Sequence, residues 1–90
     1  MHDAIVKANA KVVENCIINS KALVEHDAIV GDHCHIATGA IVNGEVTVGT
    51  GSFIGSGVIT KQSVSIGENS VIEAGVFLKR DIEPDQVIKN

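Results

Sequence analysis

A stride of six residues repeats along nearly the whole chain. Every sixth residue from Val6 to Leu78 is a large aliphatic side chain, with one polar exception at Thr60, and a small residue (Ala, Cys, Ser or Val) stands two positions before each. An α-helix, with about 3.6 residues per turn, cannot keep this stride on one face, whereas a short strand followed by a corner can. The period therefore predicts a solenoid of very short strands. The aliphatic positions are Val6, Val12, Ile18, Val24, Val30, Ile36, Val42, Val48, Ile54, Ile66, Ile72 and Leu78.

Strand alternation places the small residue and the aliphatic inside, with the residue between them outside. Three strands close a triangular coil of eighteen residues, and coils stack about 4.8 Å apart. Residues 1–90 then form one all-β domain, a single-stranded parallel β-helix of about five coils. Glycine often follows the aliphatic, as at Gly31, Gly49, Gly55 and Gly67, which suits a corner. Each buried aliphatic contributes about 1.5–3 kcal/mol, which helps so short a chain to fold.

The composition excludes several classes of protein. The formal charge of -4, without a basic run, argues against nucleic acid and anionic membranes as partners. No apolar stretch approaches the roughly 18 residues of a membrane span, and no signal peptide is evident, so we expect a cytoplasmic protein. Cys16 and Cys34 fall one above the other. A disulfide is conceivable, but buried reduced thiols are favoured.

The outward strand positions divide into three faces of different character. The first face is wholly apolar, the second is nearly so, and the third is mixed. Two apolar faces on one prism indicate an interface and close naturally as a homotrimer. The first face carries Ile5, Leu23, Ile41, Ile59 and Phe77; the second carries Ile17, His35, Phe53 and Val71; the third carries Lys11, Ile29, Thr47 and Ser65.

One corner combines residues that could perform chemistry. It contains Glu25, His26 and Asp27, and the residue one coil above His26 is Gly44, which leaves the space over the imidazole empty. The same corner continues as Lys61-Gln62-Ser63 and Lys79-Arg80-Asp81, about 10 to 15 Å above His26. Three cations at that height predict a place for phosphates. His35, on the second face, would approach the His26 corner of a neighbouring subunit.

These residues carry a specific resemblance. The segments from Ile17 to Asp27, from Ile29 to Ile36 and from Thr38 to Ala40 resemble the catalytic segment of the sialic acid O-acetyltransferase and UDP-4-amino-sugar N-acetyltransferase family, and the resemblance covers nearly the whole chain. That family has a His followed by an acidic residue, a second His nine positions on, and a Gly nine beyond. His26-Asp27, His35 and Gly44 match this pattern.

The resemblance implies a left-handed coil and an acetyl-CoA-dependent acetyltransferase without metal. His26 would be the general base, since imidazole exchanges protons near neutral pH, and Asp27 would orient it. The Gly44 N–H would bind the oxyanion, and His35 would position the acetyl group. Lys61, Lys79 and Arg80 would hold the phosphates of the cofactor. Asn19 and Glu25 would contact the acceptor, an amino or hydroxyl group of a sugar or nucleotide sugar.

Two departures leave other interpretations open. Family members carry an amino-terminal Rossmann-like sugar-binding domain, which residues 1–90 do not include, and His2-Asp3 repeats the His-Asp dipeptide in another corner. The chain could therefore be an inactive trimeric scaffold or a truncated fragment. A zinc enzyme of the γ-carbonic anhydrase kind shares the fold, but its pair of His at a five-residue separation is not seen. His33 and His35 are too close together and would point to opposite sides.

Overall fold

The computed structural model describes residues 4–90, which form fourteen two-residue strands and no helix. No helix within these residues could therefore cross a membrane. The strands are β1 (Ile5–Val6), β2 (Lys11–Val12), β3 (Ile17–Ile18), β4 (Leu23–Val24), β5 (Ile29–Val30), β6 (His35–Ile36), β7 (Ile41–Val42), β8 (Thr47–Val48), β9 (Phe53–Ile54), β10 (Ile59–Thr60), β11 (Ser65–Ile66), β12 (Val71–Ile72), β13 (Phe77–Leu78) and β14 (Val87–Ile88).

From β1 to β13 every third strand joins the same parallel sheet, so the chain winds as a triangular solenoid, and β14 then joins β12. The first face is the sheet β1-β4-β7-β10-β13, the third face is β2-β5-β8-β11, and the second face is β3-β6-β9-β12-β14. Ile5 pairs with Leu23 and Leu23 with Ile41, a register of eighteen residues per coil. The predicted fold class, a left-handed parallel β-helix of about five coils, is confirmed.

The interior is the predicted column of aliphatic side chains. Val24, Ile36, Ile54 and Ile72 are fully buried, while the outward neighbours of the strands are more exposed. Thr60, the polar exception, is also fully buried. Its Oγ1 accepts the Asn43 N–H at 3.1 Å, so its polar group is satisfied inside the prism.

A second column inside the prism carries thiols and hydroxyls. The Cys16 and Cys34 Sγ–H groups donate to the carbonyls of Gly31 (2.9 Å) and Gly49 (3.1 Å), and the Ser52 hydroxyl donates to Gly67 at 3.0 Å. Both cysteines are free, as favoured from the sequence. Burial raises the pKa of the Cys34 thiol, which keeps it a protonated donor.

The corners follow a rule that the sequence pattern did not show. The third residue after each inward side chain from Val6 to Ile72 has a positive φ, as at Asp27 (61°) and Glu45 (62°). In the turn that holds Asp27, the Ala28 N–H donates to the Glu25 carbonyl at 3.3 Å. The predicted corner glycines do something else. Gly55 has no positive φ, but an added Cβ would lie 2.6 Å from the Ala74 backbone nitrogen of the next coil. Close approach of coils is therefore what requires glycine there.

The last coil is shorter than the others. Ile66 bridges to Ile82 and Val71 pairs with Val87, a spacing of sixteen residues where the earlier coils have eighteen. The two missing residues come from the corner between β13 and Ile82, where the Asp81 carboxylate accepts the Ser65 N–H at 2.9 Å. The uninterrupted stride of eighteen therefore ends at Leu78.

Candidate active site

His26 projects from the corner between β4 and β5, at the edge shared by the first and third faces. Its Nδ1 lies 3.1 Å from Asp27 Oδ2, and both side chains are about half exposed. A carboxylate at Nδ1 requires that this nitrogen carry the proton in the neutral ring, which leaves Nε2 as a proton acceptor. Asp27 occupies the left-handed position of the turn, with a φ of 61°.

Gly44 lies directly over that acceptor nitrogen. A Cβ built on Gly44 would stand 2.8 Å from His26 Nε2 and 2.9 Å from Cε1. The register that the sequence predicted for this corner is therefore present. Among residues 4–90 the Gly44 N–H makes no hydrogen bond, whereas the neighbouring Glu45 N–H donates to the His26 carbonyl at 3.1 Å. The His26 Nε2 acceptor and the unbonded Gly44 N–H therefore belong to neighbouring residues in adjacent coils.

The cations predicted to bind phosphates lie on the same edge, above Gly44. Lys61 and Lys79 are exposed, and across residues 4–90 neither Nζ has a carboxylate within 4.0 Å. Lys79 lies 5.6 Å from the centre of the Phe77 ring, a cation–π contact. Lower on the edge, Glu25 is paired with Lys7 at 3.8 Å. The positive charge of this edge is therefore concentrated above the His26 corner.

The corner that contains Arg80 differs from the predicted one. The sequence placed Lys79-Arg80-Asp81 above Lys61-Gln62-Ser63, but Asp81 meets Ser65, because the shortened coil draws this segment toward the third face. Arg80 lines a shallow cleft with Asp81, Glu83 and Gln86, whose two carboxylates reduce the positive potential there. This cleft is at the top of the solenoid and does not include the His26 corner.

His35 lies elsewhere in the chain, on the second face. Its Nε2 is 2.9 Å from Asn19 Nδ2, and its ring meets Phe53 edge-on, with the centroids 5.0 Å apart and the planes at 66°. From the sequence we expected the corner of Asn19 to face a different direction, so the contact between Asn19 and His35 was not predicted. The signal was present, since Asn19 directly follows Ile17-Ile18 and His35 pairs with Ile17 in the next coil.

Within one chain, His26 and His35 occupy opposite edges of the first face. The edge shared with the third face holds His26, and the edge shared with the second face holds the Asn19 contact. They could contribute to one site only across two subunits, which keeps the expected intersubunit cleft a prediction.

Residues 4–90 bring together no group of three or more His, Cys, Asp or Glu side chains that could hold a metal ion. His33 is exposed in a corner between β5 and β6, with a φ of 58°. His2 lies outside the described residues.

Comparison with known proteins supports the repeat and the fold. Residues 45–80 match the family described as the hexapeptide repeat of succinyl-transferase. No curated protein matches the chain. Serine acetyltransferase 1 from Entamoeba histolytica superposes with a TM-score of 0.85 at 20% identity, over 91% of this chain and 36% of that one. At this identity the likeness shows the fold alone.

Two further structures are similar at higher identity. The acetyltransferase domain of PglB from Neisseria gonorrhoeae, in complex with acetyl coenzyme A, gives a TM-score of 0.69 at 25% identity, over 92% of this chain and 49% of that one. A variant of GDP-perosamine N-acetyl transferase from Caulobacter crescentus, in complex with CoA and GDP-perosamine, gives 0.68 at 27%, over 92% and 48%. The chain spans between about a third and a half of these matched structures. Repeat, fold and matched structures together confirm the predicted resemblance to the hexapeptide-repeat acetyltransferases.

Proposed function

We propose that this chain is an acetyl-CoA-dependent acetyltransferase that acylates an amino or hydroxyl group of a sugar or nucleotide sugar. The observation that carries the proposal is the close approach of His26 Nε2 to Gly44, with Asp27 on the opposite ring nitrogen. The matched structures that contain acetyl coenzyme A, or CoA with GDP-perosamine, support the same choice of substrates.

The reaction follows from the protonation of the His26 ring. His26 Nε2 accepts the proton of the acceptor amine or hydroxyl as that atom attacks the thioester carbonyl, and Asp27 stabilises the resulting imidazolium. The Gly44 N–H donates to the oxyanion that forms on the carbonyl oxygen. When the carbon–sulfur bond breaks, the His26 proton passes to the departing thiolate, and His26 is neutral again. No acyl-enzyme is required.

Charge on the same edge orients the cofactor. On a spacing of about 4.8 Å per coil, Lys61 and Lys79 stand about 10 and 14 Å above the level of Glu25, which matches the reach of an extended pantetheine arm. Lys61 and Lys79 then hold its phosphates, whereas Arg80 lies in the separate cleft at the top of the solenoid. Glu25, beside His26, contacts the acceptor, as does the Asn19 amide oxygen, whereas the Asn19 amide nitrogen is engaged with His35.

The assembly we propose is a homotrimer in which the first face of one subunit covers the second face of the next. Ile5 and Phe77 on the first face are 54% and 58% exposed, and Ile17 on the second is 53% exposed. Apolar strand residues exposed to this degree on two adjacent faces favour burial against another copy. The closure brings His35 of one subunit to the His26 edge of its neighbour and creates the cleft for acetyl-CoA.

The test compares the wild-type protein with His26→Ala and the matched control His33→Ala. Each is incubated with acetyl-CoA and a panel of amino sugars and nucleotide sugars, and the released thiol is followed. We expect His26→Ala to lose at least about 100-fold in kcat/KM, since a general base contributes about 10²–10⁴-fold. His33→Ala, an exposed corner histidine, should keep the wild-type rate. Equal rates in all three proteins would refute the assignment, and release by none would favour a scaffold.

A further inference from the structure

The contact between Asn19 and His35 determines which nitrogen of the His35 ring carries a proton. Asn19 Nδ2 is 2.9 Å from His35 Nε2, and an amide nitrogen can only donate a hydrogen bond. Nε2 must therefore accept, and in the neutral ring the proton is on Nδ1. Among residues 4–90 that Nδ1–H makes no hydrogen bond, since the side-chain bond of His35 is the one to Asn19.

Neighbouring coils hold the ring in this orientation. His35 pairs with Ile17 below and Phe53 above, and the Phe53 ring meets it edge-on at 5.0 Å. A half-turn of the ring about its outer bond would keep the Phe53 contact but would move Nε2 away from Asn19. Phe53 thus fixes the plane of the ring, and Asn19 fixes which nitrogen faces it and, with it, the tautomer.

The two histidines are consequently set in opposite ways. Asp27 takes Nδ1 of His26 and leaves Nε2 free to accept a proton, whereas Asn19 takes Nε2 of His35 and leaves the Nδ1–H free to donate. Residues with opposed environments are a mark of divided acid–base roles. An acyl transfer needs both an acceptor for the nucleophile's proton and a donor toward the thioester carbonyl.

We propose that Asn19 is a positioning residue that holds His35 as a neutral Nδ1–H donor toward the acyl carbonyl oxygen of the thioester. Asn19 acts through His35 in this role. The catalytic part of the inference depends on the proposed acetyltransferase function, but the assignment of the tautomer does not. The tautomer of His35 can therefore be tested independently of turnover.

The experiment compares wild type with Asn19→Asp, Asn19→Ala and the control Asn15→Asp. Asn15 is an exposed corner residue on another edge, so its variant adds the same charge away from His35. Ring nitrogens are labelled with ¹⁵N and observed by long-range proton–nitrogen NMR near neutral pH, with His35 assigned by mutation. Acetyl-CoA-dependent thiol release is measured on the same samples, and thermal unfolding checks that each variant is folded.

We expect a protonated Nδ1 and an unprotonated Nε2 at His35 in wild type and in Asn15→Asp. In Asn19→Asp the carboxylate can only accept, so a proton should appear on Nε2, and kcat/KM for acetyl-CoA should fall at least about tenfold. Asn19→Ala should show mixed tautomers. A proton on Nε2 of wild-type His35 would overturn the inference whatever the rates.

Turnover separates the remaining outcomes. The expected tautomers with equal rates in Asn19→Asp and Asn15→Asp would refute the positioning role. If wild type releases no thiol with any acceptor, the proposed function fails, while the NMR result still decides whether Asn19 fixes the tautomer.

Discussion

Gly44→Ala tests the site more sharply than removal of any functional group, because it adds a single methyl. The new Cβ would lie 2.8 Å from His26 Nε2, about 0.7 Å inside the shortest comfortable carbon contact of about 3.5 Å. Gly44 has no positive φ, so alanine is compatible with the backbone. The atoms that must move belong to a half-exposed side chain, and His26 can swing outward by giving up its bond to Asp27.

The substitution should therefore change the free energy of unfolding only slightly and reduce the activity strongly. Loss of an exposed hydrogen bond costs about 1 kcal/mol or less, and replacing glycine stabilises by about 0.4–1 kcal/mol through the unfolded state. The net change in the free energy of unfolding should remain within about 1 kcal/mol, a shift in Tm of at most roughly 8 °C. Activity should fall at least about 100-fold, or about 2.7 kcal/mol in the barrier, because the displaced imidazole no longer faces the acceptor.

Gly55→Ala provides the matched comparison. Its Cβ would lie 2.6 Å from the Ala74 nitrogen and 2.8 Å from the Ile72 carbonyl oxygen, which are backbone atoms of the adjacent coil and cannot swing away. We expect this variant to lose about 1–3 kcal/mol of stability and to retain its activity per folded molecule. Thermal unfolding and thiol release are measured on both variants. Wild-type kcat/KM in Gly44→Ala would refute the assignment of the active site to the His26 corner. An unchanged Tm in Gly55→Ala would refute the claim that close approach of the coils requires glycine there.

Two further predictions concern the interior column and the outer faces. Because burial raises the pKa of Cys34, the unfolded chain ionises first as pH rises, so stability should be complete below about pH 8.5 and fall above it by up to about 1.4 kcal/mol per pH unit. Urea unfolding at pH 7 and pH 10 should show this loss in wild type but not in Cys34→Ser, which can keep the bond to Gly49 as Ser52 does to Gly67; equal losses would contradict it. Ile59→Glu on the first face should convert trimers to monomers in light scattering, whereas Ile29→Glu, on the third face and equally exposed, should not. Trimers in both variants would contradict the assignment of faces.

The position of Gly44 over His26 could be predicted because a solenoid converts sequence distance into height. In a coil of eighteen residues, two positions eighteen apart in the sequence lie directly over one another. The sequence separation of His26 and Gly44 was therefore enough to predict their contact. The same counting failed at Asp81, since the sequence pattern after Leu78 contains nothing that announces a corner two residues shorter.

Side-chain contacts and backbone angles were harder to predict. Asn19 reaches His35 across the corner from a position sixteen residues earlier, a diagonal that the vertical columns do not contain. The left-handed position of each turn is filled by residues as different as Lys21, His33 and Ser63, so residue type alone did not mark it. The backbone hydrogen bonds between successive corners, such as that from Ser63 to Gly44, enforce the conformation there.

The shortened coil at the top of the prism has a consequence for how the molecule behaves at high concentration. A solenoid offers unpaired strand edges at its ends, and such edges invite other chains to add on and grow a fibre. On the third face the donors of this edge are already hydrogen-bonded. The Ser65 N–H donates to the Asp81 carboxylate, and the Gly67 N–H donates to the carbonyl of Ile82, which pairs as a single bridge instead of a strand. The shortened coil thus hinders the addition of further chains end to end along the third face.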